Sequence, residues 1–289
     1  MKLKIVVNGF YRTRHTAYQA ERLCEEGIAC GFRSSIVPND APDAFERAKD
    51  ADAVIFLDKD VALADRLAGA GVAVFNPPRA IAIADDKALT FNALEKAGIA
   101  TPETLSAPVI YSGSVGREFV RKAGERLGYP LIVKARHGSL GEQVFKADDG
   151  EAAESIARAF GSTPHLYQKY VAASSGRSLR LYVVGDRVEG AMRLSNMSDF
   201  RSNAYQHGSA APVEPTAEQA DLAVRAARAV GAVFAGVDLF DVDPPSVIEV
   251  NSNAYFEAIE RASGQNIARA IIHYISDHIG SIPYDKEIL

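Results

Sequence analysis

The sequence has no long apolar run and no strong excess of charge of either sign. None of its hydrophobic stretches approaches the roughly 20 residues that an α-helix needs to cross a bilayer, so no membrane partner is expected. Its 32 Lys and Arg residues against 37 Asp and Glu residues give a formal net charge of -5. This mild acidity argues against a protein that coats nucleic acid, although it is compatible with a local basic pocket.

Cysteine is scarce, with two residues, Cys24 and Cys30. No Cys or His pair at zinc-ligand spacing accompanies them, and Cys24 falls on the apolar stripe of a predicted helix. We therefore predict two buried thiols in a reducing compartment. Residues 1–15 resemble a short strand followed by polar residues rather than a signal peptide, so a cytoplasmic location is the expectation.

Several motifs of nucleotide binding and catalysis are absent. No G-x-G-x-x-G follows the first strand, so the usual dinucleotide-binding fold is not supported. No G-x-x-x-x-G-K-[ST] occurs either, which excludes a P-loop. The sequence also shows no Ser-His-Asp or Cys-His set.

The chain is long enough for two or three packed units, with 289 residues of which 47% are hydrophobic. Its first part alternates strands with helices. Strands are predicted at 3–10, 52–58 and 72–76, and helices at 16–27 and 60–71. This order is typical of a parallel sheet with crossover helices.

The pattern changes after a helix that opens at Asp85 or Asp86 and ends at Gly98. The following residues predict a compact α+β module and then a last unit that contains a hairpin. The predicted elements are helices at 117–128, 151–161, 217–230 and 266–279, strands at 130–135, 143–147, 165–171, 178–186 and 187–195, and the hairpin at 236–253.

The hairpin of residues 236–253 raises a question of charge. If its turn is centred just after Asp243, Asp238 lies directly opposite Glu249, and two facing carboxylates destabilise a strand pair. Asn251 lies two residues after Glu249 and therefore on the same face. Three oxygen ligands on one face suit Mg²⁺, a hard cation. The alternative is an exposed face on which the carboxylates are solvated, although the flanking strands are strongly apolar.

Two lysines and a glycine-containing loop are candidates for phosphate binding. Lys134 lies in a predicted strand just before a loop in which Gly138 and Gly141 allow backbone N–H groups to approach an anion. Lys87 lies in the first turn of its helix, where a cation is unfavourable against the helix dipole and a bound phosphate would explain it. The alternatives are an ordinary turn and lysines whose charged ends reach solvent.

Three arginines, Arg180, Arg193 and Arg201, lie on or beside the strands of the last unit. Arginines in strands often form surface ion pairs, but near a divalent cation they would also bind phosphoryl and carboxylate oxygens. The segment 166–171 ends the middle module. A strand in this place can offer an adenine base a backbone donor and acceptor, although nothing in its residue types requires that role.

Taken in order, these features resemble the ATP-grasp superfamily, specifically its RimK-like branch of carboxylate–amine ligases. The resemblance rests on "DFRSN", "AGVDLF" and "EVNSN" together with the two upstream lysines. It covers the chain from about Asp85 onward, and the preceding part resembles the family's Rossmann-like domain. The implied fold is a mixed α/β and α+β ATP-grasp fold. It has an N-terminal pre-ATP-grasp domain at 1–85, a helix and central lid subdomain at 86–171, and a C-terminal ATP-grasp subdomain with the metal site at 172–289.

The resemblance also implies a role for individual residues, with ATP and Mg²⁺, or Mn²⁺ in its place, as the bound groups. For the nucleotide, the resemblance implies that Lys87 and Lys134 bind the phosphates, that Gly138, Ser139 and Gly141 form the lid over them, and that Gln168, Lys169, Tyr170 and Val171 contact the adenine. For the metal, it implies Asp238, Glu249 and Asn251 as magnesium ligands, with Arg201 and Asn203 at phosphate and magnesium. For the substrate, it implies Arg193 and Arg201 at the acyl phosphate and Arg180 at a carboxylate.

The sequence departs from the family's common pattern at several positions. Lys169 stands where the hinge usually has glutamate, and Ser178 stands where aspartate is common. After "EVN", RimK-type enzymes that use glutamate tend to have Ala-Ser-Pro-Gly, whereas this chain has Ser-Asn-Ala-Tyr. LysX-type ligases also depart there, and they share Phe256. Asn253 and Tyr255 are therefore candidate substrate contacts, and the identity of the acid and of the amine stays open.

The implied function is the ATP-dependent joining of a carboxylate to an amine through an acyl phosphate, with release of ADP and phosphate. Such chemistry requires positioning and charge neutralisation. The expected substrates are an amino acid or small carboxylate, or a peptide or carrier protein, and a homo-oligomer is compatible with the family. A second interpretation, an ATP-binding module that senses or scaffolds without ligating, also stays open.

Overall fold

The computed structural model describes residues 1–138, 141–202 and 208–279. Two residues with predicted roles, Ser139 in the lid and Asn203 beside the phosphates, lie outside the described residues. No helix within the described ranges combines the length and the apolar character that a membrane span requires.

The N-terminal unit is a parallel sheet with helices in its crossovers, as the alternation of elements predicted, and it has a fourth strand, at Arg33–Pro38, that was not predicted. Its elements are β1 (Lys2–Val7), α1 (Arg14–Ala29), β2 (Arg33–Pro38), α2 (Ala44–Ala48), β3 (Ala53–Leu57), α3 (Val61–Gly69), β4 (Ala73–Phe75) and α4 (Pro78–Asp85). The strand order is β2-β1-β3-β4. β3 is buried along its whole length, because helices cover both faces of a parallel sheet.

The two cysteines lie at the end of α1, in different environments. Cys24 is partly buried and Cys30, which caps the helix, is exposed. The prediction of two buried thiols is therefore wrong for Cys30, which lies exposed at the C-cap position just past the last helical residue, and Cys24 is only partly buried.

The central unit follows α5 (Lys87–Lys96) and consists of an antiparallel sheet covered by two helices. Its elements are β5 (Thr104–Ser106), α6 (Arg117–Leu127), β6 (Leu131–Ala135), β7 (Val144–Ala147), α7 (Gly150–Phe160) and β8 (His165–Lys169). The strand order is β5-β8-β6-β7, so β6 lies in the interior of the sheet. Apolar residues of α6 and α7 form one core with those of β6, which leaves the other face of the sheet for the cavity described below.

The C-terminal unit is a five-stranded antiparallel sheet in which two strands carry the opposed carboxylates. Its elements are β9 (Arg177–Val184), β10 (Arg187–Ser195), β11 (Ser209–Pro212), α8 (Ala217–Val230), β12 (Phe234–Phe240), β13 (Ser246–Asn251), α9 (Glu257–Ser263) and α10 (Ile267–His278). The strand order is β11-β10-β9-β12-β13. α8, which begins with a capping box formed by Thr216 and Gln219, covers one face of the sheet. The other face shares a core with β1 and α10, so the first and last units pack as one body.

Asn76 joins the first unit to the hairpin strands at the end of β4. Its side chain is fully buried, and its amide nitrogen donates to the carbonyl oxygens of Phe234 and Ser252, each at 2.9 Å. Its amide oxygen accepts from the backbone N–H groups of Val233 at 2.7 Å and Phe234 at 3.2 Å. The Asn76 side chain therefore provides the hydrogen-bond partners that a neighbouring strand would otherwise provide. Without it, these buried backbone groups would be unpaired, which costs free energy of folding.

The hairpin has the register that the sequence predicted at its central pair. Asp238 lies opposite Glu249, and Gly236 lies opposite Asn251. Closer to the turn the register shifts by one residue, since Leu239 pairs with Val247. This β-bulge leaves the carboxylate pair intact and points Glu249 and Asn251 toward the same cavity.

We expect replacement of Asn76 by alanine to destabilise the protein by about 2 kcal/mol or more, because several buried backbone groups lose their partners at a cost of about 1–3 kcal/mol each. Urea unfolding followed by circular dichroism measures the change. The control is Asn92→Ala on the exposed face of α5, for which we expect a change within about 0.5 kcal/mol. Equal stability of the two variants would contradict the role given to Asn76.

Candidate active site

A cavity of about 580 Å³ lies where the three units meet, and it brings together most of the residues singled out from the sequence. Those that line it are Lys87, Lys134, Gly138, Gly141, Gln168, Lys169, Tyr170, Val171, Arg180, Arg201, Asp238, Glu249, Asn251, Asn253 and Tyr255. Such a volume lies within the range of small-molecule sites.

Arg193 is the described residue from the predicted set that does not line this cavity. Side chains alternate between the two faces of a strand, and its neighbour Leu194 points into the cavity. Arg193 therefore projects from the other face, where its guanidinium donates to Asp241 at 3.1 Å. The structure does not support the role of Arg193 at the acyl phosphate.

Three charged side chains form a row across adjacent strands of the C-terminal sheet. Arg180 on β9 lies opposite Asp238 on β12, which lies opposite Glu249 on β13. The Arg180 guanidinium donates to both oxygens of Asp238, at 2.7 and 2.6 Å. This bidentate pair compensates one of the two facing carboxylates, which answers part of the question raised by the hairpin.

The two carboxylates are held in different electrostatic environments. Burial raises the pKa of Asp238 above its ordinary value, while Arg180 acts against this shift and Glu249 adds to it. For Glu249, burial alone would raise the pKa. The net shift is downward because Lys87, Arg180 and Lys134 are close by and Asn251 donates a hydrogen bond at 3.0 Å. Glu249 is therefore the carboxylate that stays ionised most readily.

The donor set at this hairpin fits a magnesium ion. Asp238 and Glu249 offer carboxylate oxygens, and Asn251 adds an amide on the same face, which is the ligand chemistry of a hard divalent cation. Among the described residues there is no group of three or more His, Cys, Asp and Glu side chains that could hold a metal ion, so the proposed site depends on two carboxylates and the amide of Asn251. Their assignment as metal ligands stays a prediction.

Lys134 is the most deeply buried cation of the cavity. It is 4% exposed, its ammonium donates to the Gln168 side-chain oxygen at 3.0 Å, and it lies 4.9 Å from the ring centre of Phe91. Burial lowers the pKa of Lys134 to about 7; Glu249 acts to raise it and Lys87 to lower it further. An anion placed against this nitrogen would restore its positive charge.

Lys87 is positioned by an ion pair at the start of α5. Asp86 caps the helix by accepting from the N–H of Ala88 at 2.9 Å, and it also binds the guanidinium of Arg136. The Arg136 carbonyl oxygen accepts from the Lys87 N–H at 3.0 Å. The Lys87 ammonium donates to the carbonyl oxygen of Gly138 at 2.8 Å, so it lies beside the predicted lid.

Arg201 contacts the lid from the opposite side. Its guanidinium donates to the carbonyl oxygen of Gly141 at 2.8 Å and to both oxygens of Asp199, at 3.0 and 2.7 Å. Hydrogen bonding to Asp199 raises the pKa of Arg201 and holds the pKa of Asp199 below its ordinary value. The two ends of the loop are thus each hydrogen-bonded to a cation.

The predicted adenine hinge lines the cavity, but one of its backbone groups already has a partner. The N–H of Lys169 donates to the carbonyl oxygen of Glu103 at 2.9 Å. The Gln168 side chain is also engaged, since it bridges Lys134 and Thr104. A donor to the purine is therefore expected from Tyr170 or Val171.

The N-terminal unit also lines the cavity, which the sequence did not reveal. Asn8, Asp58 and Lys59 follow β1 and β3 at the carboxyl edge of the parallel sheet. The sequence signal that could have identified these residues is their position directly after buried strands, because ligands of open α/β sheets bind beyond the carboxyl ends of the strands. Nothing in the sequence indicated that this edge faces the hairpin of the last unit.

The candidate substrate segment rests on α1 of the N-terminal unit. The imidazole of His15 stacks on Tyr255 with ring centres 5.6 Å apart, and Gln19 donates to the Ala254 carbonyl oxygen at 3.1 Å. Glu257 binds His15 at 2.7 Å and Arg14 at 3.0 Å. These contacts hold the Asn253–Tyr255 side of the cavity against the first unit.

Comparison with known proteins agrees with this geometry. Residues 84–275 match the family described as the RimK-like ATP-grasp domain. A protein of Trichodesmium erythraeum named probable alpha-L-glutamate ligase is 34% identical over 217 residues, which are 74% of this chain and 71% of that protein.

Solved structures share the fold over nearly the whole chain. A RimK domain ATP-grasp protein from Sphaerobacter thermophilus has a TM-score of 0.72 at 22% identity, covering 95% of this chain and 99% of the other. The ATP-grasp ligase PsnB, complexed with a minimal precursor, Mg and ADP, has a TM-score of 0.69 at 20% identity, covering 96% and 98%.

The chain therefore belongs to the RimK-like ATP-grasp family. It is an ADP-forming carboxylate–amine ligase, as the resemblance of its motifs implied, and the predicted mixed α/β ATP-grasp fold is confirmed.

The lowered pKa of Lys134 predicts that nucleotide binding takes up a proton. Above pH 7 the ammonium is largely deprotonated in the ligand-free protein, and phosphate oxygens would raise its pKa and so bind a proton with the nucleotide. At pH 8 we expect an uptake of about one proton, which falls toward zero near pH 6 because Lys134 is then already charged.

Calorimetric titration with MgADP in buffers of different ionisation enthalpy measures this uptake. The Lys134→Met variant should show no proton uptake on binding. The Lys122→Met variant, which changes an exposed residue of α6, should take up the same number of protons as the wild type. The same proton uptake in Lys134→Met and the wild type would contradict the assignment.

Proposed function

We propose that the ligase joins the amine of L-glutamate to a carboxylate of a second substrate, at the expense of MgATP. The cavity itself carries the argument. It holds two lysines, Lys87 and Lys134, a row of Arg180, Asp238 and Glu249, and further polar residues on the opposite wall. The name of the Trichodesmium erythraeum relative, probable alpha-L-glutamate ligase, supports glutamate as the first substrate to test.

In the proposed mechanism the lysines hold the nucleotide. Lys134 reaches the cavity from β6 and Lys87 from α5, so two positive charges meet the phosphates from different elements. Asp238, Glu249 and Asn251 would hold magnesium, which supplies charge neutralisation and orientation of the phosphate oxygens. Because the γ-phosphoryl transfer needs charge stabilisation and alignment, no side-chain nucleophile is required.

Arg180 is the residue we assign to the substrate carboxylate. In the described structure its guanidinium compensates Asp238, and a cation at the hairpin would do so in its place. Arg180 would then be able to bind a carboxylate, for which its planar fork is suited. It is only partly exposed, at 22% of its side chain, so its charge acts strongly within the cavity.

Lid closure protects the proposed acyl phosphate. Gly138 accepts from Lys87 and Gly141 accepts from Arg201, so both ends of the loop are attached to residues that we place at the phosphates. Binding of the nucleotide would therefore also change the contacts of Gly138 and Gly141, and exclusion of water by the lid would limit hydrolysis of the acyl phosphate.

We expect Glu249→Gln to lower the rate of ADP formation at least about 100-fold, because it removes the most readily ionised carboxylate from the metal site. The substitution is isosteric, so the protein should stay folded, with a somewhat lower melting temperature because the ionised Glu249 is stabilised by Lys87, Arg180 and Lys134. The control is Asp243→Asn, an exposed charge on the same hairpin. An unchanged rate of ADP formation in Glu249→Gln would contradict the assignment of Glu249 as a metal ligand.

The proposed function is tested by incubating the protein with MgATP, L-glutamate and a panel of small carboxylates and peptides with free carboxyl termini. ADP, AMP, phosphate and amide products are measured, and the other standard amino acids replace glutamate in parallel. We expect ADP and phosphate only when glutamate and one carboxylate are present together. Turnover with a different amino acid would overturn glutamate as the substrate, and AMP with pyrophosphate would overturn the acyl-phosphate mechanism. Nucleotide binding without turnover would favour a binding module.

A further inference from the structure

Asp58 is a buried carboxylate on the N-terminal wall of the cavity. It is 8% exposed and directly follows β3. Its oxygens accept from the amide nitrogens of Asn39 at 2.5 Å and Asn8 at 3.2 and 3.3 Å, and from the backbone N–H of Lys59 at 2.7 Å. The site is therefore built from several elements that fix the carboxylate in one orientation.

All of these hydrogen-bond donors are neutral. The ammonium of Lys59 is bound to Asp85 instead, and the guanidinium of Arg12 is bound to Asp40. Across the residues that the structure describes, no Lys, Arg or His side chain forms an ion pair with Asp58. These neutral donors fix the orientation of the Asp58 carboxylate but do not neutralise its negative charge. A cationic group of a ligand would provide the opposite charge.

The position of Asp58 within the sheet also indicates a binding site. The strand order β2-β1-β3-β4 reverses direction between β1 and β3, and ligands of open parallel sheets bind beyond the carboxyl ends of the strands at such a point. Asn8 follows β1 and Asp58 follows β3, so the two side chains stand at either side of this crevice. Both line the same cavity as the phosphate lysines.

The two walls of the cavity carry opposite charge. The walls from the central and C-terminal units present Lys87, Lys134 and Arg180, which suit phosphates and carboxylates. The N-terminal wall presents Asp58 together with Lys59 and Asp85, which form an ion pair with each other. A ligand that meets both walls is anionic at one end and cationic at the other, as an amino acid is.

We propose that Asp58 binds the ammonium group of the amino-acid substrate, with Asn8 and Asn39 as positioning residues that orient its carboxylate. This inference rests on the proposed function, in which that substrate is L-glutamate. It makes Asp58 a specificity-determining residue that distinguishes an amino acid from the same acid without its amino group.

The test compares L-glutamate with glutarate, the same diacid without the ammonium group. In the wild type, the inhibition constant of glutarate should be at least about tenfold higher than the KM for L-glutamate, because glutarate has no ammonium group to pair with Asp58. Asp58→Asn should raise the KM for L-glutamate at least about tenfold, while the inhibition constant of glutarate and the KM for MgATP stay within about twofold. The preference for the amino acid is then lost.

Asp65→Asn is the matched control, since it removes the same charge from α3 of the same unit and does not line the cavity. Asp58→Ser provides a second variant with a smaller side chain, and melting temperatures show whether each protein is folded. We expect the same loss of preference in both Asp58 variants and none in Asp65→Asn.

Two results would overturn the inference in distinguishable ways. A wild type that ligates L-glutamate, with an unchanged KM in both folded Asp58 variants, overturns the role of Asp58 alone. A wild type that binds nucleotide but neither binds nor ligates L-glutamate overturns the proposed function, and the role of Asp58 falls with it.

Discussion

The repulsion between Asp238 and Glu249 is the constraint on which the rest of the site depends. Two carboxylates placed opposite each other on paired strands require positive charge, and the fold supplies it from several directions. Arg180 lies on the next strand, while Lys134 and Lys87 approach from the central unit and α5. The cavity is thus an assembly of compensating charges that a magnesium–nucleotide complex would complete.

The same arrangement explains why the three units must be fixed relative to one another. Asn76 ties the first sheet to both hairpin strands, and the Asp86–Arg136 pair ties α5 to the end of β6. A lysine such as Lys134 is costly to bury unless an anion arrives at a defined place. Rigid connections keep that place constant, whereas Lys87 and Arg201 donate to the carbonyl oxygens of Gly138 and Gly141, and a nucleotide could replace these hydrogen bonds.

The sequence predicted what depends on local pattern. The register of Asp238 and Glu249 follows from the position of the turn, and the strand and helix of Lys134 and Lys87 follow from hydrophobic periodicity. The sequence did not predict that Arg180 binds Asp238. That contact depends on β9 lying beside β12, and local sequence pattern does not determine the order of strands in a sheet. The predicted role of Arg193 at the acyl phosphate is not supported, because alternation alone does not tell which face of β10 lines the cavity. Asp58 was missed because its role depends on packing between units that are distant in sequence.

The most direct measurement is a crystal structure with Mn²⁺ and a non-hydrolysable ATP analogue, in which anomalous scattering locates the metal. We expect manganese bound by oxygens of Glu249 and Asn251 or Asp238, with the phosphates against Lys134 and the Arg180 guanidinium no longer bidentate on Asp238. A bound nucleotide whose metal contacts none of these three side chains would contradict the account.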